Sequence, residues 1–224
     1  MSKRGFDIEK LSFQIIEDEI KQMYYQSSNF NDDEHHYVAG YNELEWSIVR
    51  RVIHATADFD FAFKNKIQFQ KDAIRSVFEA FANKCNIVTD VDMVLSAISK
   101  TSLKKIGLNA VCHISDGDLA IRAKETNMTR AELAMRKSLE EINGGIVCIG
   151  NAPTALLEVV KMVREGIARP KLVIGVPVGF VSAPESKVEL TRTDIPYITN
   201  TGRKGGSPVA SSIINALMLL YQNM

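Results

Sequence analysis

The chain has 224 residues, 46% apolar and 24% charged, with 27 Lys and Arg against 27 Asp and Glu. This balance excludes a disordered or collagen-like chain and is enough for a core without disulfide or metal staples. With no net charge, no basic excess draws the chain to nucleic acid or an anionic membrane, and no run approaches the ~20 apolar residues of a bilayer span.

The opening MSKRGFDIEKLSF is charged from its start and does not read as a signal peptide. Cys85, Cys112 and Cys148 are widely spaced, without a CxxC pair, and are expected as buried free thiols. A reducing, cytoplasmic setting follows from that reading.

Ile8, Leu11, Ile15, Ile16 and Ile20 predict a first helix from Ile8 to about Tyr25. Residues 26–40 are polar and predict a loop, with His35 and His36 solvated. A second helix is predicted from about Tyr41 to His54, with Leu44, Ile48, Val49, Val52 and Ile53 on one side. Residues 1–65 are thus an N-terminal helical part.

All six prolines lie beyond Gly150, and the second half is punctuated as alternating strands and helices would be. Strand 86–91 precedes a helix at 92–100, and strand 109–114 one at 129–142. Strand 144–150 precedes 152–167, strand 171–176 precedes a helix near 182–192, and strand 196–201 precedes 207–221. These units predict an α/β fold: a single domain over 1–224, with a mainly parallel five-stranded sheet, helices on both faces and a β/α core at 86–221. Val147, Cys148 and Ile149, like Leu172, Val173 and Ile174, have no polar face, as in strands buried on both sides.

Open α/β sheets bind ligands beyond the carboxyl ends of their strands. Those ends carry Asp90 and Asp92, His113 to Asp116, Gly150-Asn151-Ala152-Pro153-Thr154, Gly175-Val176-Pro177-Val178-Gly179-Phe180, and Thr201-Gly202-Arg203-Lys204-Gly205-Gly206-Ser207. The last combines glycines and two cations with Ser207, a plausible N-cap, and Pro208 opening a helix. It reads as an anion site, or more plainly as a turn with solvated cations. It is no Walker loop, and no GxGxxG, GxSxG, HExxH or CxxC is present, so no metal site is expected.

His113 ends a strand and reads as a core or loop histidine. His54 ends the second helix beside the small residues Ala55-Thr56-Ala57, which leave space around it. An imidazole there can give or take a proton near neutrality. One placed histidine, several anion-friendly turns and no evident nucleophile suggest chemistry of positioning and one proton.

These motifs resemble the precorrin-8X methylmutase family, also called cobalt-precorrin-8 methylmutase. The resemblance rests on Ser12-Phe13-Gln14-Ile15-Ile16, Arg51-Val52-Ile53-His54-Ala55, Asp90-Val91-Asp92-Met93 and Gly150-Asn151-Ala152-Pro153-Thr154-Ala155-Leu156. It continues through Gly175-Val176-Pro177-Val178-Gly179-Phe180-Val181, Glu185-Ser186-Lys187 and Gly202-Arg203-Lys204-Gly205-Gly206-Ser207, spanning nearly the whole chain in order.

The resemblance implies an isomerase of vitamin B12 biosynthesis. It would move a methyl group from C-11 to C-12 of an anionic tetrapyrrole, giving hydrogenobyrinate or its cobalt counterpart, with no cofactor consumed. It also implies a homodimer, for which the early apolar helices and the Trp46 region are the expected interface. His54 matches the catalytic histidine, Ser12 a substrate-binding serine and Arg130 an arginine for a substrate carboxylate. Strand-end placement adds Asn151, Thr154, Arg203, Gly205 and Gly206 as substrate-binding residues. Lys10 and Leu11 stand where that family often has a basic residue before the serine. Asp58 and Asp60 carry charge that suits solvent more than an anionic ligand. A corrinoid carrier without turnover, and an unrelated enzyme of small phosphate or sugar-acid ligands, are the competing readings. Whether the substrate carries cobalt is not legible.

Overall fold

The computed structural model describes residues 3–26 and 40–224. Apart from its two end residues, the loop expected at 26–40, with His35 and His36, lies outside the described residues.

Helix α1 (Lys3–Gln26) leads to α2 (Glu43–Thr56). Asn42 starts α2 with a reciprocal cap: its Oδ1 accepts from Glu45 N at 3.0 Å, and Glu45 Oε2 accepts from Asn42 N at 3.1 Å. Ala57, at φ 52°, ends α2, its N–H bonding Ile53 O. A 3-10 turn follows at Phe59–Phe61, then β1 (Ile67–Phe69) and α3 (Ala73–Ala82). The remainder is β2 (Asn86–Thr89), α4 (Asp92–Ala97), α5 (Lys100–Ile106), β3 (Asn109–Val111), α6 (Gly117–Thr126), α7 (Arg130–Lys137) and α8 (Leu139–Ile142). After these come β4 (Ile146–Ile149), α9 (Pro153–Arg164), β5 (Leu172–Gly175), α10 (Ala183–Thr191), β6 (Tyr197–Asn200) and α11 (Ser207–Gln222).

The sheet runs β1-β6-β5-β4-β2-β3. All five expected strands are present and parallel; a sixth, β1, pairs antiparallel with β6, placing Ile67 opposite Asn200. The strand order reverses between β2 and β4, the place where such sheets open a crevice at their carboxyl ends.

Alternate strand residues enter opposite cores. Ile146 and Cys148 pack with residues of α1 to α5 and α11, whereas Val147 and Ile149 pack with α6 to α10. Both faces are covered, which is why these strands need no polar alternation.

Three expectations are corrected. The apolar row of α1 is split: Ile16 and Ile20 are buried, but Ile8, Leu11 and Ile15 face outward. Trp46 is only 7% exposed and packs inside its own chain, so its ring is no subunit contact. Helix α11 starts at Ser207 as its expected range has it, but Gly206 takes the cap position expected for Ser207, which already lies inside the helix.

Candidate functional site

His54 lies exposed in the last turn of α2. Its Nδ1 is 2.9 Å from Ser12 Oγ on α1, and the Phe13 ring meets the imidazole edge-on with centroids 5.3 Å apart. The helices are held in this register by charge. Arg51 pairs with Glu9 at 2.8 Å and Arg50 pairs with Glu17, and the two guanidinium carbons lie 5.1 and 4.4 Å from the Phe13 ring centre. Cation–π contacts of this kind contribute roughly 0.5–2 kcal/mol each.

Beside His54, a cleft of about 290 Å³ is lined by Ala55, by Met93 and Ala97 of α4, and by Ser207, Pro208 and Ser211 of α11. Of the small residues expected to leave space, Ala55 lines this cleft. A larger cavity, about 810 Å³, is lined by Asn143, Arg169, Lys171 and Pro196 at the opposite, amino-terminal edge of the strands. It contains none of the expected site residues.

The β6–α11 turn forms the far wall. Lys204 Nζ lies 2.7 Å from both Asp58 Oδ2 and Asp60 Oδ2, and these carboxylates raise its pKa. Asp58 and Asp60 are therefore paired with a cation of the turn, and Lys204 is a partly exposed cation already neutralised by them. They tie the segment after His54 to the turn. Arg203 remains: it is exposed, and its guanidinium lies 5.2 Å over the Phe180 ring.

Close packing shapes the turn. A Cβ on Gly205 would stand 2.2 Å from Val176 O, and Gly206 N donates to that same carbonyl at 2.9 Å. The Gly206 amide is thus used by the fold and is not offered to an anion. Below the turn, Lys187 of α10 is 2% exposed and donates to Gly202 O at 3.0 Å and Lys204 O at 2.6 Å. Burial pulls its pKa down from 10.5 to about 8.

Asp90, fully buried at the end of β2, fills the point where the strand order reverses. Its carboxylate accepts from Gly150 N at 3.1 Å and from Asn151 N and Ala152 N at 2.7 Å. Ala152 at the cap position of α9 makes no side-chain cap bond; the Asp90 carboxylate, from another strand, instead takes the three amides of the turn that leads into that helix. Burial raises the Asp90 pKa, with the three amides opposing.

The β4–α9 turn presses on the β6–α11 turn: a Cβ on Gly150 would lie 2.9 Å from Ser207 Cα and 3.0 Å from Gly206 O. Along the same rim, Thr154 Oγ1 accepts from Thr129 Oγ1 at 3.1 Å, and Arg130 follows Thr129 at the exposed start of α7. The expected residues therefore fall into three groups: His54 with Ser12, Arg203 with Gly205 and Gly206, and Arg130 with Asn151 and Thr154. Among the described residues, no hydrogen bond or ion pair joins His54 to Arg130 or Thr154.

His113 is held by Asp116, its Nδ1 3.0 Å from Oδ2, with Lys137 Nζ 2.7 Å from that same oxygen. This network holds Nδ1, while Nε2 is buried without a hydrogen-bond partner among the described residues, the Glu141 carboxylate lying 3.7 Å away. Burial pushes the Cys85 thiol up to about 12 and raises the other two, so all three stay protonated and weakly nucleophilic. Among the described residues, no three His, Cys, Asp or Glu side chains converge as metal ligands would. No described helix is long and apolar enough to cross a membrane.

Sequence reasoning placed Asp90 at a strand end without a role, and quoted Phe180 and Lys187 only within motifs. The signal for Asp90 was an acid directly after an apolar strand, facing a helix start that lacks its own cap.

Comparison with known proteins identifies the family. The precorrin-8X methylmutase family profile matches residues 7–220. The "Cobalt-precorrin-8 methylmutase" of Priestia megaterium is 46% identical over 180 residues, 80% of this chain and 79% of that protein. That of Leptospira interrogans is 43% identical over 224 residues, 96% of this chain and 94% of that protein. The crystal structure of "Precorrin-8x Methyl Mutase from Thermus Thermophilus" superimposes with a TM-score of 0.81 at 35% identity, covering 97% of this chain and 96% of that one.

Proposed function

This chain belongs to the precorrin-8X methylmutase family, and on that premise we propose that it isomerises precorrin-8X or cobalt-precorrin-8, with His54 controlling the protonation of the ring. The C-11–methyl bond breaks as the C-12–methyl bond forms, so no group leaves the substrate and no nucleophile is required. Protonated thiols and the exposed imidazole of His54 suit that chemistry.

The observation that carries the reading is the Ser12–His54 pair. With Nδ1 engaged by the hydroxyl, the ring is held in one orientation and Nε2 is left for the macrocycle. Arg203 and Arg130 take acidic arms of the substrate, the guanidinium being the group that pairs two-pronged with carboxylate. Asn151, Thr154 and the Gly205-Gly206 turn complete the rim. A large ligand with arms on several sides needs several such groups.

The names of the two bacterial relatives support a cobalt-bearing substrate. The outward Ile8, Leu11 and Ile15 support a homodimer through α1, which sedimentation of the wild type against Leu11→Glu measures. The three free thiols support a cytoplasmic setting.

His54→Ala tests the assignment. Conversion of either substrate is expected to fall at least about a hundredfold, with product affinity kept within about threefold. Unchanged conversion would remove His54 from the chemistry. A wild-type protein that shifts the substrate absorption band without producing the corrin spectrum would be a carrier.

A further inference from the structure

The loop after β5 sets two large apolar side chains in water beside the site. Phe180 and Val181 are each 82% exposed, with Val178 partly exposed before them. The loop has not simply been left loose. Gly179 N donates to Arg203 O at 3.1 Å, Gly206 N donates to Val176 O, and Gly205 leaves no room for a side chain against Val176 O. Two rim loops are thus bonded into one unit, and that unit holds its apolar residues outward. Leaving a Phe and a Val hydrated forgoes the burial that normally drives such side chains inward, so a surface that covers them is expected.

Charge identifies the cover. Arg203 stands over the Phe180 ring and, unlike Lys204, has no carboxylate within ion-pair distance among the described residues. A flat apolar face next to an uncompensated guanidinium fits a flat conjugated ring with acidic arms better than a second protein surface. The loop neighbours the His54 cleft through the glycine turn: a Cβ on Gly206 would meet Val178 Cγ1 at 3.8 Å, and Ser207 and Pro208, next in the chain, line the cleft beside Ala55.

We propose that Phe180 and Val181 are the apolar seat of the tetrapyrrole, Phe180 stacking on a face of the macrocycle while Arg203 pairs with one of its acidic arms. This rests on the methylmutase reading and adds substrate-contacting residues to it. The stacked ring contributes through the apolar area it covers and through aromatic geometry.

The test titrates wild type, Phe180→Ala and Phe180→Leu with hydrogenobyrinate and its cobalt counterpart, following the corrin spectrum, and measures turnover on the same samples. Circular dichroism confirms that each variant is folded. The expected result is about a tenfold weaker Kd for Phe180→Ala and an intermediate loss for Phe180→Leu, with kcat at saturation kept within about threefold. If the wild type turns over and Phe180→Ala binds as tightly as it does, the seat is wrong and the methylmutase reading stands. If the wild type neither binds nor converts a corrinoid, both fall. If Phe180→Ala changes the sedimentation coefficient and leaves affinity per site unchanged, the loop is a subunit contact and the proposal is overturned.

Discussion

Ser12 Oγ on α1 sits 2.9 Å from His54 Nδ1 on α2, so the orientation of the imidazole depends on a different helix from the one that carries it. Phe13, between Arg50 and Arg51, fixes the two helices at that point. Ser12→Ala is expected to lower kcat by about tenfold, because the ring loses its orienting partner but keeps its proton chemistry. Product affinity should change by no more than about threefold. Single-turnover absorption against equilibrium titration separates the two quantities.

The two neighbouring cations of the β6–α11 turn should behave differently. Arg203→Met is expected to weaken product binding by about tenfold, since it removes a cation that has no carboxylate partner among the described residues. Lys204→Met should leave affinity within about twofold, because Asp58 and Asp60 already neutralise that lysine. Its cost should appear as stability, about 1 kcal/mol or less, as for partly exposed ion pairs. Equal losses of affinity in both variants would contradict this division.

Lys187 gives a pH signature. Its pKa is about 8 when folded and 10.5 ordinarily, so between these values the unfolded chain holds more protons at this residue than the folded one. Stability from this group therefore rises with pH from about 8 to 10.5 and is flat below about 8. Urea midpoints of wild type minus Lys187→Met should follow that course, since the other groups cancel in the difference. A difference that shrinks over this range would show that the ammonium is stabilised, not penalised, by its burial.

Asp90→Ala removes the acceptor of three backbone amides and leaves them buried. A loss of about 3 kcal/mol is expected, as for amide donors deprived of their carboxyl acceptor. In a chain of this size that is about 6–12 °C in Tm. Asp90→Asn, which keeps one acceptor oxygen, should recover part of it by calorimetry.

The parallel core was legible because doubly buried strands are continuous apolar runs set between helices, and Ile146–Ile149 and Leu172–Gly175 have that form. Strand β1 was not: Ile67, Gln68 and Phe69 are three residues between charged neighbours, and their strand state comes from pairing with β6, distant in the chain. The face of α1 was misjudged because five apolar residues share its helical spacing while α2 covers only part of them. At the site, His54, Ser12 and the glycine turns were visible as residue types in motifs. The neutralisation of Lys204 was not, since Asp58 and Asp60 lie far from it in sequence. The service of Asp90 to α9 depends likewise on strand order, which spacing along a chain does not encode.

The Asp90 carboxylate has one more consequence. In many doubly wound sheets the amino end of the helix after the reversal point waits for a diffusible phosphate. Here the polypeptide supplies its own tethered carboxyl from the neighbouring strand, which already occupies the amides of that turn. A nucleotide phosphate entering this crossover would have to displace a rival that is part of the chain.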